Sequence, residues 1–474
     1  MRSLLLVALW YVALALSSRA AAGENDVAIV GATIIDVQNA GRSTVDRPNA
    51  TIFIRNGVIA EVGDRGKIAI PRGTHVVVAS GSYVVPGLID GYGGMRSQSF
   101  ADAYLYEGVT TVYVTRSPAG QDGEQSIANT TSGPRLIRGA TISGYLPDGA
   151  VPATHPWTEH RLKDARKSAD ELISEIDHLA DNDVRGLQVS FDVWPDQLDV
   201  IIGEARRRHL ATIVEPAFTS YPYAIRAGIG ALIRNDRYET ALATPQDLLA
   251  YEDDPMGRGV ASAYRDVCGT DLGSPILAAL GEQLAQSHTA LMPILSIEAT
   301  ADDVGAPNPW KSRSSAFVRP NDLDDPVDPK TGARPYLESH PDRREALRTC
   351  AIHRQDIDGN LHRAGALYLA GSGTPAFGIM PGGGLHQELR LLQHIGLTPR
   401  EALAAATSNF VDVFGWQDVG RIEVGRAGDL VVVGSDPRVD VSALDDIRTV
   451  VHDGRVINRK ALLAAADRNH HGAK

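Results

Sequence analysis

Eight short apolar runs, separated by stretches with helical spacing or by polar turns, constrain the fold of this chain more than any other feature. They are YVVPGLID (83–90), GVTTVYVT (108–115), RLIRGATI (135–142), GLQVSF (186–191), LATIVEP (210–216), GALIRN (230–235), ALMPILSI (290–297) and ALYLAGSG (366–373). Short apolar runs alternating with helical patterns mark parallel βα units. Eight such units are the number that closes a βα barrel. The helices between them are credible locally. DELISEIDHLA has helical spacing, and Thr398-Pro399-Arg400-Glu401 is a capping box with proline at the first helical position. Only residues 299–340 break the rhythm, being rich in proline and charge with little periodicity. This stretch follows the seventh run, so it is either a lid over the barrel mouth or a surface insertion.

The two ends of the chain mirror one another. VAIVGATIID (27–36) and TIFIRNGVIAEVG (51–63) surround Asn56-Gly57, while GDLVVVGSDP (428–437) and TVVHDGRVI (449–457) lead to Asp453-Gly454. Such a pair between apolar runs is the strongest short hairpin signal, because both central residues must accept positive φ. The expected architecture is α/β, a (βα)8 TIM-like barrel over 84–415 plus a small β-sandwich domain built from both termini, 23–83 and 416–458. Residues 459–474, with His470 and His471, read as a polar tail.

Arg2 precedes an apolar run from Leu4 to Leu16, followed by Ala20, Ala21 and Ala22 in the A-x-A pattern. This three-part pattern predicts a signal peptide over 1–22 and an exported protein, periplasmic or extracellular. The apolar run is too short to span a bilayer, so no stable membrane insertion is expected after cleavage. The net charge is −12, and loss of Arg2 and Arg19 with the leader makes it −14. Such acidity, without a lysine-arginine cluster, argues against nucleic acid as a partner. Cys268 and Cys350 are the two cysteines, compatible with one bridge in an oxidising compartment or with two buried thiols.

From Val27 to Val456 the chain resembles the amidohydrolase superfamily, closest to its imidazolonepropionase and prolidase-like branch. The motifs that carry the resemblance are GATIID, IRNGVIAEVG, VVPGLID, GVTTVYV, GPRLIRGATIS, GGGLHQELRLLQHIGLTPREALAAATSN and VGRIEVGRAGDLVVVGSDP. The resemblance implies a βα barrel flanked by a β-sandwich from both termini. It also implies hydrolysis of carbon-nitrogen bonds other than ordinary peptide bonds, with zinc or another divalent metal held at the strand ends.

Carried over residue by residue, that metal site is not reproduced. The family pattern follows PGLID with two histidines, and here the positions are Tyr92 and Gly94. The bridging lysine or glutamate of strand four corresponds to Gln188, the histidine of strand five to Glu215 and that of strand six to Arg234. The strand-eight aspartate, which would bind metal and shuttle the proton, corresponds to Gly373. Arginine keeps its proton and glycine offers no ligand atom, whereas a catalytic zinc uses about three protein ligands and an open water position. The expected cofactor is therefore none, and Tyr92, Gln188, Glu215 and Arg234 are expected to line a pocket. In it Glu215 and Arg234 form an ion pair, with Gly94 and Gly373 leaving room for the arginine. Other histidines do not restore a site: His155 and His160 read as loop residues, His386 as a packing or capping residue of its helix.

Two functional readings follow. In one the protein is a catalytically degenerate homologue, acting in binding or as a companion subunit. Its partners would be a small molecule in the barrel mouth, and a second copy or an active paralogous subunit. In the other it is an active metal-independent hydrolase of amides or cyclic amides, with Glu215 as the candidate base. That chemistry needs an activated water, oxyanion stabilisation and a proton donor to the leaving amine, and no donor is identifiable in the sequence.

Overall fold

The computed structural model describes residues 26–116, 132–145, 166–235, 238, 240–244, 246, 249 and 267–471. The expected leader, His155 and His160 lie outside the described residues. Strands β1 (Val27–Ile34), β2 (Arg47–Arg55), β3 (Val58–Asp64), β4 (His75–Val78) and β5 (Tyr83–Pro86) come first. The barrel strands are β6 (Leu88–Asp90), β7 (Val109–Arg116), β8 (Arg135–Ile142), β9 (Gly186–Val189), β10 (Ala211–Val214), β11 (Ala231–Ile233), β12 (Ala290–Met292) and β13 (Leu367–Tyr368). The last three are β14 (Leu430–Val433), β15 (Ile447–His452) and β16 (Arg455–Val456).

β6 to β13 pair in sequence order, every pairing parallel. Each of the eight apolar runs contributes one of these strands. The first and last strands are drawn together where Gly91 N donates to Ala370 O at 2.9 Å and Gly373 N donates to Tyr92 O at 2.8 Å. Ile89, Tyr113, Ile213, Ile233, Met292 and Leu369 fill the interior. Phe410 stacks on Trp416, with centroids 5.4 Å apart, and Trp416 lies 5.7 Å from Tyr113. The barrel is thus a packed core, and its chemistry must sit at its ends.

The second sheet runs β16-β15-β14-β5-β1-β2-β3, with β4 on β1, so strands from both ends of the chain share it. Its hairpins turn at Asn56 (φ 50°) and Gly57 (φ 80°), and at Asp453 (φ 46°) and Gly454 (φ 71°), with both central residues left-handed. The run YVVPGLID serves both sheets. Tyr83–Pro86 pairs with β14 and β1, and Leu88–Asp90 enters the barrel. The change happens at Gly87, whose N donates to Asp429 O at 2.8 Å and where any Cβ would collide with the Thr110 side chain.

Two outlying segments are tied down. Cys268 and Cys350 form a disulfide that joins the turn Val267–Gly269 to the helix Arg344–Ala364, Cα atoms 4.7 Å apart. Residues 459–471, read from sequence as a tail, form the helix Arg459–His471. Its Arg459 lies over the Tyr106 ring at 4.3 Å and donates to Tyr106 O (2.7 Å) and Ile447 O (2.6 Å). Among the described residues no helix is long and apolar enough to cross a membrane.

Candidate functional site

Four residues taken from the strand ends meet at the barrel mouth. Gln188 in β9 lies opposite Ile213 of β10, Glu215 follows β10, Arg234 follows β11, and Tyr92 stands two residues beyond β6. Parallel neighbours bring their C-terminal ends side by side, so the juxtaposition follows from topology. Arg234 Nε is 3.9 Å from Glu215 Oε1, with side chains 29% and 14% exposed, an ion-pair distance. Gln188 Nε2 donates to the Tyr92 hydroxyl at 3.2 Å. Burial and the nearby Glu215 charge push the Tyr92 hydroxyl pKa upward, outweighing the Gln188 hydrogen bond and the Arg234 charge. Arg234 itself has φ 69°. Its N donates to Met292 O at 3.0 Å and its O accepts from the Tyr221 hydroxyl at 2.7 Å.

The two glycines correct one expectation. They do not leave space for the arginine. A Cβ on Gly94 would come 2.8 Å from Thr374 O and 2.9 Å from Pro375 Cδ, and one on Gly373 would come 2.6 Å from Ile297 and 2.9 Å from Ile294. Gly373 also has φ 75°, which disfavours any side chain. A histidine or an aspartate at these positions would need the surrounding chain to move. With a guanidinium at the strand-six position, the mouth does not fit a catalytic divalent metal.

Several buried acids near this end escaped sequence reasoning. Asp90, fully buried at the end of β6, accepts from Ser372 N (2.8 Å) and Tyr92 N (3.2 Å) and so fixes the first strand end to the last. Burial pushes its pKa upward against those hydrogen bonds. Asp358 accepts from Asn235 (2.9 Å) and Tyr238 (2.7 Å), and burial pushes its carboxyl up to about 6. Glu388 accepts from Leu295 N (3.1 Å) and Ser296 N (2.7 Å), yet burial still pushes it up to about 8. Arg354 pairs with Glu298 and reaches Asp302 at 3.8 Å. A cavity of about 220 Å³ opens here, with Arg234, Glu298, Asp302 and Arg354 in its walls. Tyr336 of the proline-rich segment also lines it, so that segment reaches the mouth. A larger cavity of about 440 Å³, next to Ser296, Thr300, His386 and Arg390, contains none of the four strand-end residues. His386 has a packing role: it is buried, with Nε2 2.8 Å from Glu107 O.

The opposite end of the barrel holds a second cluster and corrects the expectation of no cofactor. Asp429, His452 and Asp453 each present a ligand atom within 4.8 Å of the others, a group that could hold a metal ion. His452 Nδ1 lies 3.1 Å from Asp429 Oδ1, which also accepts from Asp453 N at 3.0 Å. Asp429 Oδ2 is buried without a hydrogen-bond donor, and Arg135 lies 3.8 Å from it and 2.8 Å from Asp453 Oδ1. Burial pushes the His452 pKa down, but the Asp429 hydrogen bond and charge push it further up. Asp429 precedes β14, while His452 ends β15 and Asp453 opens the following turn, and they converge because Leu430 pairs with Val451.

Comparison with known proteins agrees with this architecture. A model described as the amidohydrolase family matches residues 353–457. Adenine deaminase 2 of Agrobacterium fabrum is 24% identical over 418 residues, covering 86% of this chain and 53% of that protein. The chain therefore spans about half the length of this curated relative. Among solved structures, a Xaa-Pro dipeptidase superposes with a TM-score of 0.61 at 14% identity, over 91% of this chain and 99% of that one. Ochratoxinase of A. niger superposes with a TM-score of 0.59 at 16% identity, over 91% and 95%. At such identities the superpositions speak for fold alone. The family match over 353–457 and the deaminase relative point the same way and support the resemblance to the amidohydrolase superfamily.

Proposed function

We propose that this is an exported amidohydrolase-superfamily protein whose barrel mouth binds a small molecule, and in which metal-dependent hydrolysis at the strand ends has been replaced by an internal ion pair. The observation that carries the reading is Arg234, 3.9 Å from Glu215, where the fold's relatives would be expected to place a metal's positive charge. A guanidinium compensates a partly buried carboxylate as a metal would, but it cannot polarise a water into a nucleophile. The crowding at Gly94 and Gly373 supports the same reading, since two ligand positions there have no room for a side chain. Export is supported by the apolar N-terminal run and by the Cys268–Cys350 bridge, which persists best in an oxidising compartment. A second copy or an active paralogous subunit remains the proposed macromolecular partner.

The test is an activity screen on the full chain with added zinc, manganese or cobalt. N-acyl amino acids, dipeptides and cyclic amides are expected to show no metal-dependent turnover. Turnover that Glu215→Ala abolishes would return the mouth to catalysis.

A further inference from the structure

One short helix, Leu295–Ala301, stands between two cavities. Its Ile297, Glu298 and Ala301 line the space beside the mouth, while Ser296 and Thr300 line the cavity of about 440 Å³. That larger cavity is closed by Ala306–Pro309 and Lys311–Arg313 of the proline-rich segment, by Ile379 and Met380, and by the start of the helix Gly383–His394.

Two polar groups in its wall are buried yet left open. His386 is 4% exposed, and its Nε2 lies 2.8 Å from Glu107 O. A carbonyl only accepts, so Nε2 carries the proton toward it. Burial pushes the ring's pKa downward, against the pull of the Glu107 charge, so the ring is neutral at pH 7 and Nδ1 is an acceptor. Among the described residues no donor reaches Nδ1, and Glu107 Oε2, 4.0 Å away, can only accept. Thr300, also 4% exposed, has a hydroxyl with no hydrogen-bond partner among the described residues. Buried polar groups ordinarily find partners. An open acceptor and an open hydroxyl in one cavity call for a ligand with a donor of its own, and a hydroxyl supplies one and can accept in return.

The charged lining consists of Lys311, Arg313 and Arg390 against Glu107 and Asp445. Arg390 pairs with Asp445, Arg313 donates to Asp445 O at 3.1 Å, and Glu107 accepts from Ser314 Oγ at 2.9 Å. Lys311 has neither an ion pair nor a side-chain hydrogen bond among the described residues. The helix that starts at the wall adds partial positive charge. The lining therefore favours an anion, and an amine would bring its donor with the wrong charge.

We infer that this cavity binds a small hydroxy acid, a carboxylate beside a hydroxyl on a short apolar body. The hydroxyl meets His386 Nδ1 and Thr300, the carboxylate meets Lys311, and the body lies on Ile379 and Met380. Apolar walls with a few convergent polar groups are the usual composition of such a pocket. The site is separate from the mouth and does not depend on what the mouth binds.

Calorimetric titration of the full chain at pH 7 with 3-phenyllactate, 3-phenylpropionate and 3-phenyl-1,2-propanediol tests it. The three share one body, and the second and third lack the hydroxyl and the carboxylate respectively. Phenyllactate is expected to bind about tenfold more tightly than either, one good hydrogen bond or charge contact apart. Lys311→Met, on the surface, is expected to weaken both acids and leave the diol unchanged. Thr300→Val, nearly isosteric, is expected to weaken phenyllactate several-fold and leave phenylpropionate unchanged. His386→Phe is expected to bring phenyllactate down to the level of phenylpropionate, and the other two variants guard against a folding defect in it. Equal binding of the three probes, or no binding of any, would overturn the inference. Phenyllactate binding that is kept in Lys311→Met and lost in Glu215→Gln would place the ligand in the mouth and overturn it too.

Discussion

The two ends of the barrel place the same kinds of charge in different proportion. At the mouth one guanidinium, Arg234, faces one carboxylate, Glu215, across 3.9 Å. At the floor Arg135 is shared between Asp429 and Asp453, and His452 lies beside both acids. The mouth carries its positive charge on the chain, and the floor keeps a surplus of acid with an imidazole. The backbone explains the contrast. Mouth residues hang from the C-terminal ends of neighbouring barrel strands, where loops vary freely and ligands bind. Floor residues lie just before β14, at the end of β15 and in the turn after it, and the backbone of Asp429 receives Gly87 N where the chain passes between sheets. Change at the floor also disturbs the joint between the two sheets, so it is the more constrained end.

The largest effect expected at the mouth side comes from Glu388, which holds the start of the helix Leu295–Ala301 through two backbone amides. Its carboxyl is raised from 4.5 to about 8, chiefly by burial, so the folded state keeps a proton that the unfolded chain has released. A raised carboxyl makes folding less favourable as pH climbs through that window, and stability should fall between about pH 5 and about pH 8. Asp358, raised to about 6 and part of the same electrostatic neighbourhood, adds its share at the lower end. Glu388→Gln should remove roughly 3 kcal/mol of the fall. Urea unfolding at pH 5.5 and at pH 8 measures it. Equal slopes in wild type and variant would show that Glu388 titrates as it does in water.

The mouth pair should respond next. Arg234→Met takes the guanidinium from beside Glu215, and removing one member of a buried charge pair costs about 3–5 kcal/mol. The partial exposure of both side chains reduces the expectation to about 2 kcal/mol. Adding Glu215→Gln should recover most of that loss, because the carboxylate charge is then removed as well. Chemical denaturation of the three variants decides it. If the double variant is as weak as Arg234→Met alone, the guanidinium matters for its packing and the charge contrast between mouth and floor loses one side.

The eight barrel strands and the two hairpins were legible because each rests on local chemistry, apolar runs and residues that tolerate positive φ. The meeting of Tyr92, Gln188, Glu215 and Arg234 was legible for a further reason, since parallel register carries strand-end positions into space. The double use of YVVPGLID was not, because nothing in the run separates Val85 from Leu88 except that Gly87 lacks a side chain. Asp90 ends the VVPGLID motif, but its role depends on Ser372, 282 residues later. Glu298, Asp302, Asp358 and Glu388 lie in or beside helical stretches, where a charge is ordinarily read as solvated; their burial is a tertiary fact. The crowding at Gly94 and Gly373 was equally hidden, because the atoms that fill those spaces come from Pro375, Ile294 and Ile297.

The smallest effect is expected at the floor, and it tests the other side of the contrast. A divalent cation held by Asp429, His452 and Asp453 would take up the buried Asp429 Oδ2 that has no hydrogen-bond donor. It would have to draw Asp453 away from Arg135, now at 2.8 Å, and to bind an imidazole whose proton Asp429 favours. These competing interactions weaken the site, and at a concentration several times its dissociation constant manganese or zinc should raise wild-type stability by about 1 kcal/mol. Arg135→Met removes the competing guanidinium and should bind the ion more tightly than wild type. Asp453→Asn should bind it more weakly. Thermal unfolding with and without manganese, together with the electron paramagnetic resonance signal of the bound ion, reads both changes. Were the ion instead to bind equally to all three proteins and be lost in Glu215→Gln, the metal would belong to the mouth after all, and the ends of the barrel would have exchanged the roles assigned to them.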